Sequence, residues 1–193
     1  KAVLGMMGTE HYSYGELFNE INVHTGGIGT SLELYNDVTR VEEKAFRATF
    51  EIKARAMYGQ LPFAFRMMKE ILTRSKLGDT KRIREILDML KSRLLMRFQS
   101  SGHTTAALRA LSYASPSAKF KDMTGGIEFY QFVADLTDHF EERKEDLTRA
   151  LEALGRQIFR GDNMMVSYTA SREGLDGLEE LVKEMKEGLF AGE

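Results

Sequence analysis

The sequence predicts an α+β fold: a small antiparallel sheet packed against a layer of several helices. Three observations carry this. Residues Ala45 to Ala54 alternate strictly between apolar and polar side chains, amphipathic helical stretches crowd the region from Gln60 to Ile158, and no strand–helix–strand alternation supports a parallel sheet.

In chain order, Tyr14 to Val23 reads as a helix with Leu17, Phe18 and Ile21 on one face. Gly26, Gly27 and Gly29 follow, and "TSLELY" then sets Leu32 and Leu34 against Ser31 and Glu33. The clearest strand has Arg47, Thr49, Glu51 and Lys53 on one face and Phe46, Ala48, Phe50 and Ile52 on the other. The polar stretch Asn36 to Glu43 is the predicted hairpin connection. Pro62 suits the first turn of a helix whose stripe is Leu61, Ala64, Phe65, Met68, Ile71 and Leu72. Asp79 stands as a natural N-cap for a long helix bearing Ile83, Ile86, Leu87, Leu90, Leu94 and Phe98. "SSGH" interrupts that helix, and "TTAALRALSYA" resumes it up to Pro116. Two further helices hold Phe129, Phe132, Val133, Leu136 and Phe140, and then Leu147, Ala150, Leu151, Leu154 and Ile158. "RGDN" reads as a turn, "MMVSYTA" as a third strand, and a last helix carries Leu175, Leu178, Val182, Met185 and Leu189.

Composition bounds the function. The chain is 42% hydrophobic and 29% charged, which fits a single α+β domain over residues 1–193. Its 27 basic and 29 acidic residues give no excess of positive charge for nucleic acid. No apolar run approaches the roughly 20 residues of a membrane span, and the N-terminus shows no signal-peptide pattern. Without cysteine there is no disulfide, thiolate nucleophile or thiolate metal ligand. The chain opens on "KAVLGMMG" without an initiator Met, so it reads as a segment of a larger protein.

The residues offer no catalytic constellation. A phosphate loop lies between a strand and the N-terminus of a following helix, because the free helix amides bind the anion. Here a helix precedes the glycines and a strand follows, so Gly26 or Gly27 is expected at positive φ in a helix-terminating turn. His11, His24, His103 and His139 never pair at the i, i+4 spacing that offers two imidazoles to zinc. "TEH" at Thr9 to His11 lacks the histidine of an inverted zinc motif, since the position three before Glu10 is Met7. His103 is expected to be a hydrogen-bonded histidine at a helix break. Glu141–Glu142 and Glu179–Glu180 are neighbours on helices, pointing about 100° apart, and suit solvated faces. Ser115 and Ser167 lack a nucleophile-elbow context. The basic run from Lys69 to Arg84 is interleaved with Glu70 and Asp79, as on a solvated face.

Several long strings nevertheless resemble one family. "GTEHYSYGELFNEINVHTGGIGTSLELYND", "FEIKARAM", the stretch from "SKLGDTKRIREILDML" to "GGIEFYQFVADL", and "IFRGDNMMVSYTASREG" are similar, in order, to the presequence-protease branch of the insulinase/pitrilysin zinc metallopeptidases. The similarity runs from about Gly8 to about Val182. It implies a protease of four homologous α+β domains forming two bowl-like halves around a chamber. The His-x-x-Glu-His zinc motif belongs to the first domain, an Arg and a Tyr that hold substrate belong to the fourth, and this chain resembles most of the third. Only Leu4 to Met7 stand where the motif would precede Gly8 and Thr9. The resemblance therefore implies zinc in the parent and none in this segment, with no catalytic, cofactor-binding or metal-binding residue carried over.

The expected role is a non-catalytic domain of a zinc-dependent oligopeptide-degrading metallopeptidase, forming part of the C-terminal half of its chamber. Its partners would be other domains of the same polypeptide and the parent's peptide substrates, not nucleic acid or membrane. The setting would be bacterial cytoplasm, or an organelle matrix in a eukaryote. The alternative is a free-standing helical interaction module without activity, using the helices of Asp79 to Ala114. A nucleotide-binding domain built on the glycines is a weaker third reading.

Overall fold

A computed structural model of the chain describes residues 1–40 and 45–192. Among them are eight α-helices and two strands: α1 (Tyr14–His24), β1 (Ile28–Asn36), β2 (Phe46–Ala54), α2 (Leu61–Arg74), α3 (Thr80–Ser100), α4 (Gly102–Leu111), α5 (Pro116–Gly125), α6 (Ile127–Asp138), α7 (Phe140–Ile158) and α8 (Leu178–Gly188). The two strands pair as an antiparallel hairpin, and the fold is α+β as predicted. The chain divides into two compact units, the first Lys1–Ser31, Phe50–Asp79 and Asp146–Glu193, the second Leu32–Thr49 and Thr80–Glu145.

In the first unit, α1 starts on a capping box. The Ser13 hydroxyl accepts from the Glu16 amide at 3.3 Å, and the Glu16 carboxylate accepts from the Ser13 amide at 2.8 Å, satisfying two amides that a helix start leaves free. Leu17 and Ile21 then pack with Phe63, Met67 and Ile71 of α2 and with Leu4, Tyr12, Ile28 and Ile52. Phe18 does not join them: it is 57% exposed, because its direct neighbour Leu17 takes the inward direction. Helix α2 is buried along two rows rather than one. Phe63, Met67 and Ile71 fill the first cluster, while Met68 and Leu72 meet Phe159, Met185, Phe50, Ile52 and Leu189 in a second. The predicted stripe omits Phe63 and Met67. The Phe50 and Phe159 rings meet edge-on at 5.0 Å.

The expected third strand at "MMVSYTA" is not formed. Residues 164–170 have no regular secondary structure, and only Met164 reaches the second cluster. Strand-favouring side chains make a strand only when another backbone supplies the ladder, and none of the described residues does so. Arg160 and Phe190, just outside, form an isolated parallel bridge. The last helix begins at Leu178, after Gly177 turns the chain at φ +73°, so Leu175 lies outside it and is half exposed.

In the second unit, α3 buries Ile83, Ile86, Leu87 and Leu94. It packs on α6, α6 on α5 and α5 on α4. Helix α5 is absent from the sequence reading because its ten residues carry no sustained apolar stripe; it buries only Ala118 and Asp122. Its start is nonetheless written in the chain: Pro116 occupies the first turn, and the Ser115 hydroxyl accepts from the Ala118 amide at 3.4 Å. Phe140 opens α7 rather than closing α6, the chain breaking at His139. The ring pairs Phe46–Phe120 at 5.8 Å and Phe98–Tyr130 at 5.5 Å tie strand to helix and helix to helix. Of the predicted connection Asn36–Glu43, residues 41–43 lie outside the described residues. At its start the Asp37 side chain accepts from the Thr39 amide at 2.9 Å, the Thr39 hydroxyl at 2.6 Å and Arg40 Nε at 2.8 Å, which holds its carboxyl well below the usual range.

Candidate functional site

The glycine turn uses its own amides. Thr25 ends α1 with its hydroxyl donating to the Ile21 carbonyl at 2.6 Å and accepting from the Gly27 amide at 3.0 Å. The Gly26 amide donates to the Arg55 carbonyl at 2.6 Å, and a Cβ at Gly26 would lie 3.2 Å from that of Arg55. Gly27 sits at φ +115°, a conformation that favours glycine. Turn geometry and close approach to β2 thus account for these glycines, and the amides of Gly26 and Gly27 are committed to the chain itself.

The four histidines have separate surroundings. His11 Nδ1 lies 3.0 and 3.2 Å from the two Glu70 carboxylate oxygens, and its amide donates to Glu70 Oε1 at 3.4 Å. Glu70 is only 7% exposed on α2. Arg74 stands 3.7 Å from Glu70 and 2.9 Å from Glu10. Backbone pairing closes the same region, as Thr9 bridges Ser75, the Glu10 amide donates to the Arg74 carbonyl at 2.9 Å, and the Lys76 amide donates to that of Gly8 at 3.0 Å. Burial pushes the Glu70 carboxyl up, but hydrogen bonds from Thr9 and His11 outweigh it and hold the group below its ordinary value. The result is a clasp that fixes residues 8–12 to the end of α2.

The ring of His24 lies tilted against that of Phe63, 4.6 Å between centres, and its Nε2 lies 3.6 Å from Glu20; His139 lies 3.3 Å from Asp135. His103 is exposed in the first turn of α4, and its expected hydrogen bond is not made among the described residues. Among those residues no three of His, Asp and Glu come together to hold a metal ion. Glu141, Glu142, Glu179 and Glu180 are all exposed at helix starts, where the dipole favours them, and Glu141 pairs with Lys144 at 2.8 Å. Ser115 caps α5, and Ser167 is exposed on the irregular segment.

A second buried carboxylate lies in the other unit. Asp122 on α5 is fully buried, its Oδ2 accepting from Arg109 Nη1 of α4 at 2.6 Å and its Oδ1 from the Ile127 amide that opens α6 at 3.0 Å. Glu128 joins Arg109 at 3.4 Å and pairs with Lys119, while Arg109 lies over the Tyr113 ring at 5.3 Å. Gly126 fits because a Cβ there would come within 2.8 Å of the Asp122 Cα. The network fastens three helix ends. Sequence reasoning passes over both acids, although each leaves a signal: Glu70 interrupts the apolar row between Met67 and Ile71, and Asp122 precedes the Gly125–Gly126 break by one helical turn.

A hollow of about 220 Å³ lies between α2 and α8, lined by Pro62, Phe65, Leu181 and Met185 with Arg66, Lys69 and Glu184, and a wider one of about 480 Å³ lies by Gly161, Lys186 and Phe190. The linings of both include no hydroxyl or imidazole to form a nucleophile–base pair.

Comparison with known proteins supplies the family. The family model described as Peptidase M-16C associated matches residues 1–136. Protein HypA of Clostridium perfringens is 30% identical over 181 residues, covering 94% of this chain and 18% of that protein. The mitochondrial presequence protease of Drosophila melanogaster is 26% identical over 162 residues, covering 84% of this chain and 15% of the relative. Presequence protease 1 of Arabidopsis thaliana, chloroplastic/mitochondrial, is 24% identical over 176 residues, covering 91% and 16%. The chain spans less than a fifth of the length of these relatives. By a match over most of its length, the chain belongs to the peptidase M-16C associated family, on its presequence-protease branch.

Proposed function

We propose that residues 1–193 serve as one non-catalytic α+β segment of a zinc-dependent, oligopeptide-degrading metallopeptidase, and form part of the C-terminal half of its substrate chamber. The observation that carries this reading is the family match over residues 1–136, joined to relatives named presequence proteases of which the chain spans less than a fifth. The described residues do not fit a zinc site, since no three His, Asp or Glu side chains converge. In this reading zinc belongs to the parent, outside this segment. What the segment supplies is packed structure: in each of its two compact units a buried acid fastens a strap or helix ends. Its partners are other domains of the same polypeptide and the parent's peptide substrates. The bacterial relative and the mitochondrial and chloroplast relatives favour bacterial cytoplasm or an organelle matrix. No helix among the described residues is long and apolar enough to cross a membrane.

The test is to assay the 193-residue chain alone for bound zinc and for cleavage of unstructured peptides. Sub-stoichiometric zinc and no cleavage are expected. Tight stoichiometric zinc, or cleavage by this piece, overturns the reading.

A further inference from the structure

Helices α2 and α8, both in the first unit, face each other across the hollow of about 220 Å³, and its lining sorts by burial into a floor and a rim. The floor is apolar: Met185 is 7% exposed, and Phe65 and Leu181 are half-buried. The rim is charged, with Arg66 and Glu184 exposed and Lys69 half-buried. Positions 65, 66 and 69 on α2, and 181, 184 and 185 on α8, have the spacings that bring side chains to one side of a helix.

These charges are uncommitted. Glu184 forms no ion pair with Arg66 or Lys69, and none of the three pairs with any other of the described residues. Opposite charges thus stand on the two helices, too far apart to meet. Both cations are nevertheless held in place. The Arg66 guanidinium lies over the Phe63 ring at 5.3 Å, and the Lys69 stem passes so close to Gly188 that a Cβ there would lie 2.5 Å from its Cδ. Side chains ordered in advance lower the entropy lost when a ligand binds. The wider hollow differs on this point, since its Asp162 is already paired with Arg160 at 3.1 Å.

A molecule that joins the two sides needs a carboxylate for Arg66 and Lys69, an ammonium for Glu184 and an apolar body for the floor. A peptide carries its ammonium and carboxylate at opposite ends, whereas a free α-amino acid sets both on one carbon. The hollow holds the space of roughly seven molecules of liquid water and falls below the roughly 300 Å³ at which drug-sized sites begin, so its occupant is small.

We propose that the α2–α8 hollow binds a free apolar α-amino acid of about the size of leucine. Arg66 and Lys69 take the carboxylate, Glu184 takes the ammonium, and Phe65, Leu181 and Met185 take the side chain. The inference draws on this hollow alone and is independent of the peptidase reading: zinc content and peptide cleavage do not bear on it.

Methionine-methyl NMR of the 193-residue chain, titrated with leucine, tests this. The Met185 signal, identified by its loss in Met185→Leu, is expected to shift and saturate with a Kd of about 1 mM. N-acetyl-leucine, which lacks the ammonium, and leucinamide, which lacks the carboxylate, should each bind at least about tenfold more weakly, and glycine should not move the signal. Arg66→Ala and Glu184→Gln, at exposed positions, should weaken leucine by a similar factor while leaving the thermal midpoint unchanged. No saturable shift with leucine at about 20 mM overturns the proposal. N-acetyl-leucine binding as well as leucine overturns it in favour of a peptide C-terminus or another carboxylate, and leucinamide binding as well overturns it in favour of a peptide N-terminus. Leucine binding that survives both Arg66→Ala and Glu184→Gln overturns it too, because the molecule then sits elsewhere.

Discussion

Glu70 and Asp122 are both buried carboxylates, one in each compact unit, and they are neutralised by different means. Glu70 leans on an imidazole that is 59% exposed and on a hydroxyl, with Arg74 more distant at 3.7 Å. Asp122 has a guanidinium at 2.6 Å and a helix-opening amide at 3.0 Å. The first acid fastens a single strap, residues 8–12, to one helix. The second ties α4, α5 and the start of α6 together. A buried charge is tolerable only when paired and hydrogen-bonded, so the quality of the pairing sets how much structure depends on it. The comparison teaches that α5, the helix with the weakest apolar pattern, is held chiefly by polar chemistry.

That claim is most exposed at Asp122. Asp122→Ala removes the acid from between Arg109 and the Ile127 amide, leaving the amide unsatisfied. The Arg109 side chain is 35% exposed and can regain water, which keeps the cost near the lower end for a broken buried pair. A loss of about 3 kcal/mol is expected, or roughly 6–12 °C in the thermal midpoint followed by circular dichroism. A fall as small as that of a surface ion pair, below about 1 kcal/mol, would break the comparison. Next in size is Gly126→Ala, whose new methyl must push against the Asp122 Cα 2.8 Å away. Overpacking of this kind costs about 1–3 kcal/mol, read in the same way.

Glu70 should instead reveal itself through pH. Its carboxyl is held below the ordinary 4.5, so the clasp contributes stability above that value and loses it as pH falls through the lower, folded value. The thermal midpoint of the natural chain should therefore drop as pH falls below 4.5, with Glu70 among the contributors. Glu70→Gln keeps the shape and abolishes the titration. It should cost about 1–2 kcal/mol at neutral pH and flatten part of that acid limb. An unchanged acid limb would show that the clasp is not a site of acid sensitivity.

These acids also mark where the sequence stops being legible. Helices α1, α3, α7 and α8 and strand β2 follow from apolar side chains that recur at the period of the element. The glycine turn is legible from element order alone, and Gly27 does take positive φ. Phe18 is misplaced by periodicity because adjacent helical residues cannot share an inward direction, and only the packing of α1 on α2 decides between Leu17 and Phe18. Helix α5 escapes because its core-facing residues are an alanine and an aspartate. At "MMVSYTA" the side chains disclose a propensity but not a partner, since a strand is a property of two chains of backbone. Glu70 looks like part of a solvated charged run between Lys69 and Arg84. Its burial depends on the strap that reaches it from Thr9 and His11, some sixty positions earlier. Periodicity along one helix contains no term for that contact.

The smallest effect supplies the reference against which both buried acids are measured. Ser13 and Glu16 make the same kind of bond, an amide donating to a side-chain oxygen, but at an exposed helix start. Water can replace the hydroxyl there, so Ser13→Ala should cost only about 0.5–1 kcal/mol, roughly 1–4 °C in the thermal midpoint. Ser13→Asp, which keeps an acceptor at the cap, should recover most of it. If Ser13→Ala costs as much as Asp122→Ala, burial is not what separates these sites. The larger dependence of the second unit on Asp122 would then have to come from the number of helix ends it joins.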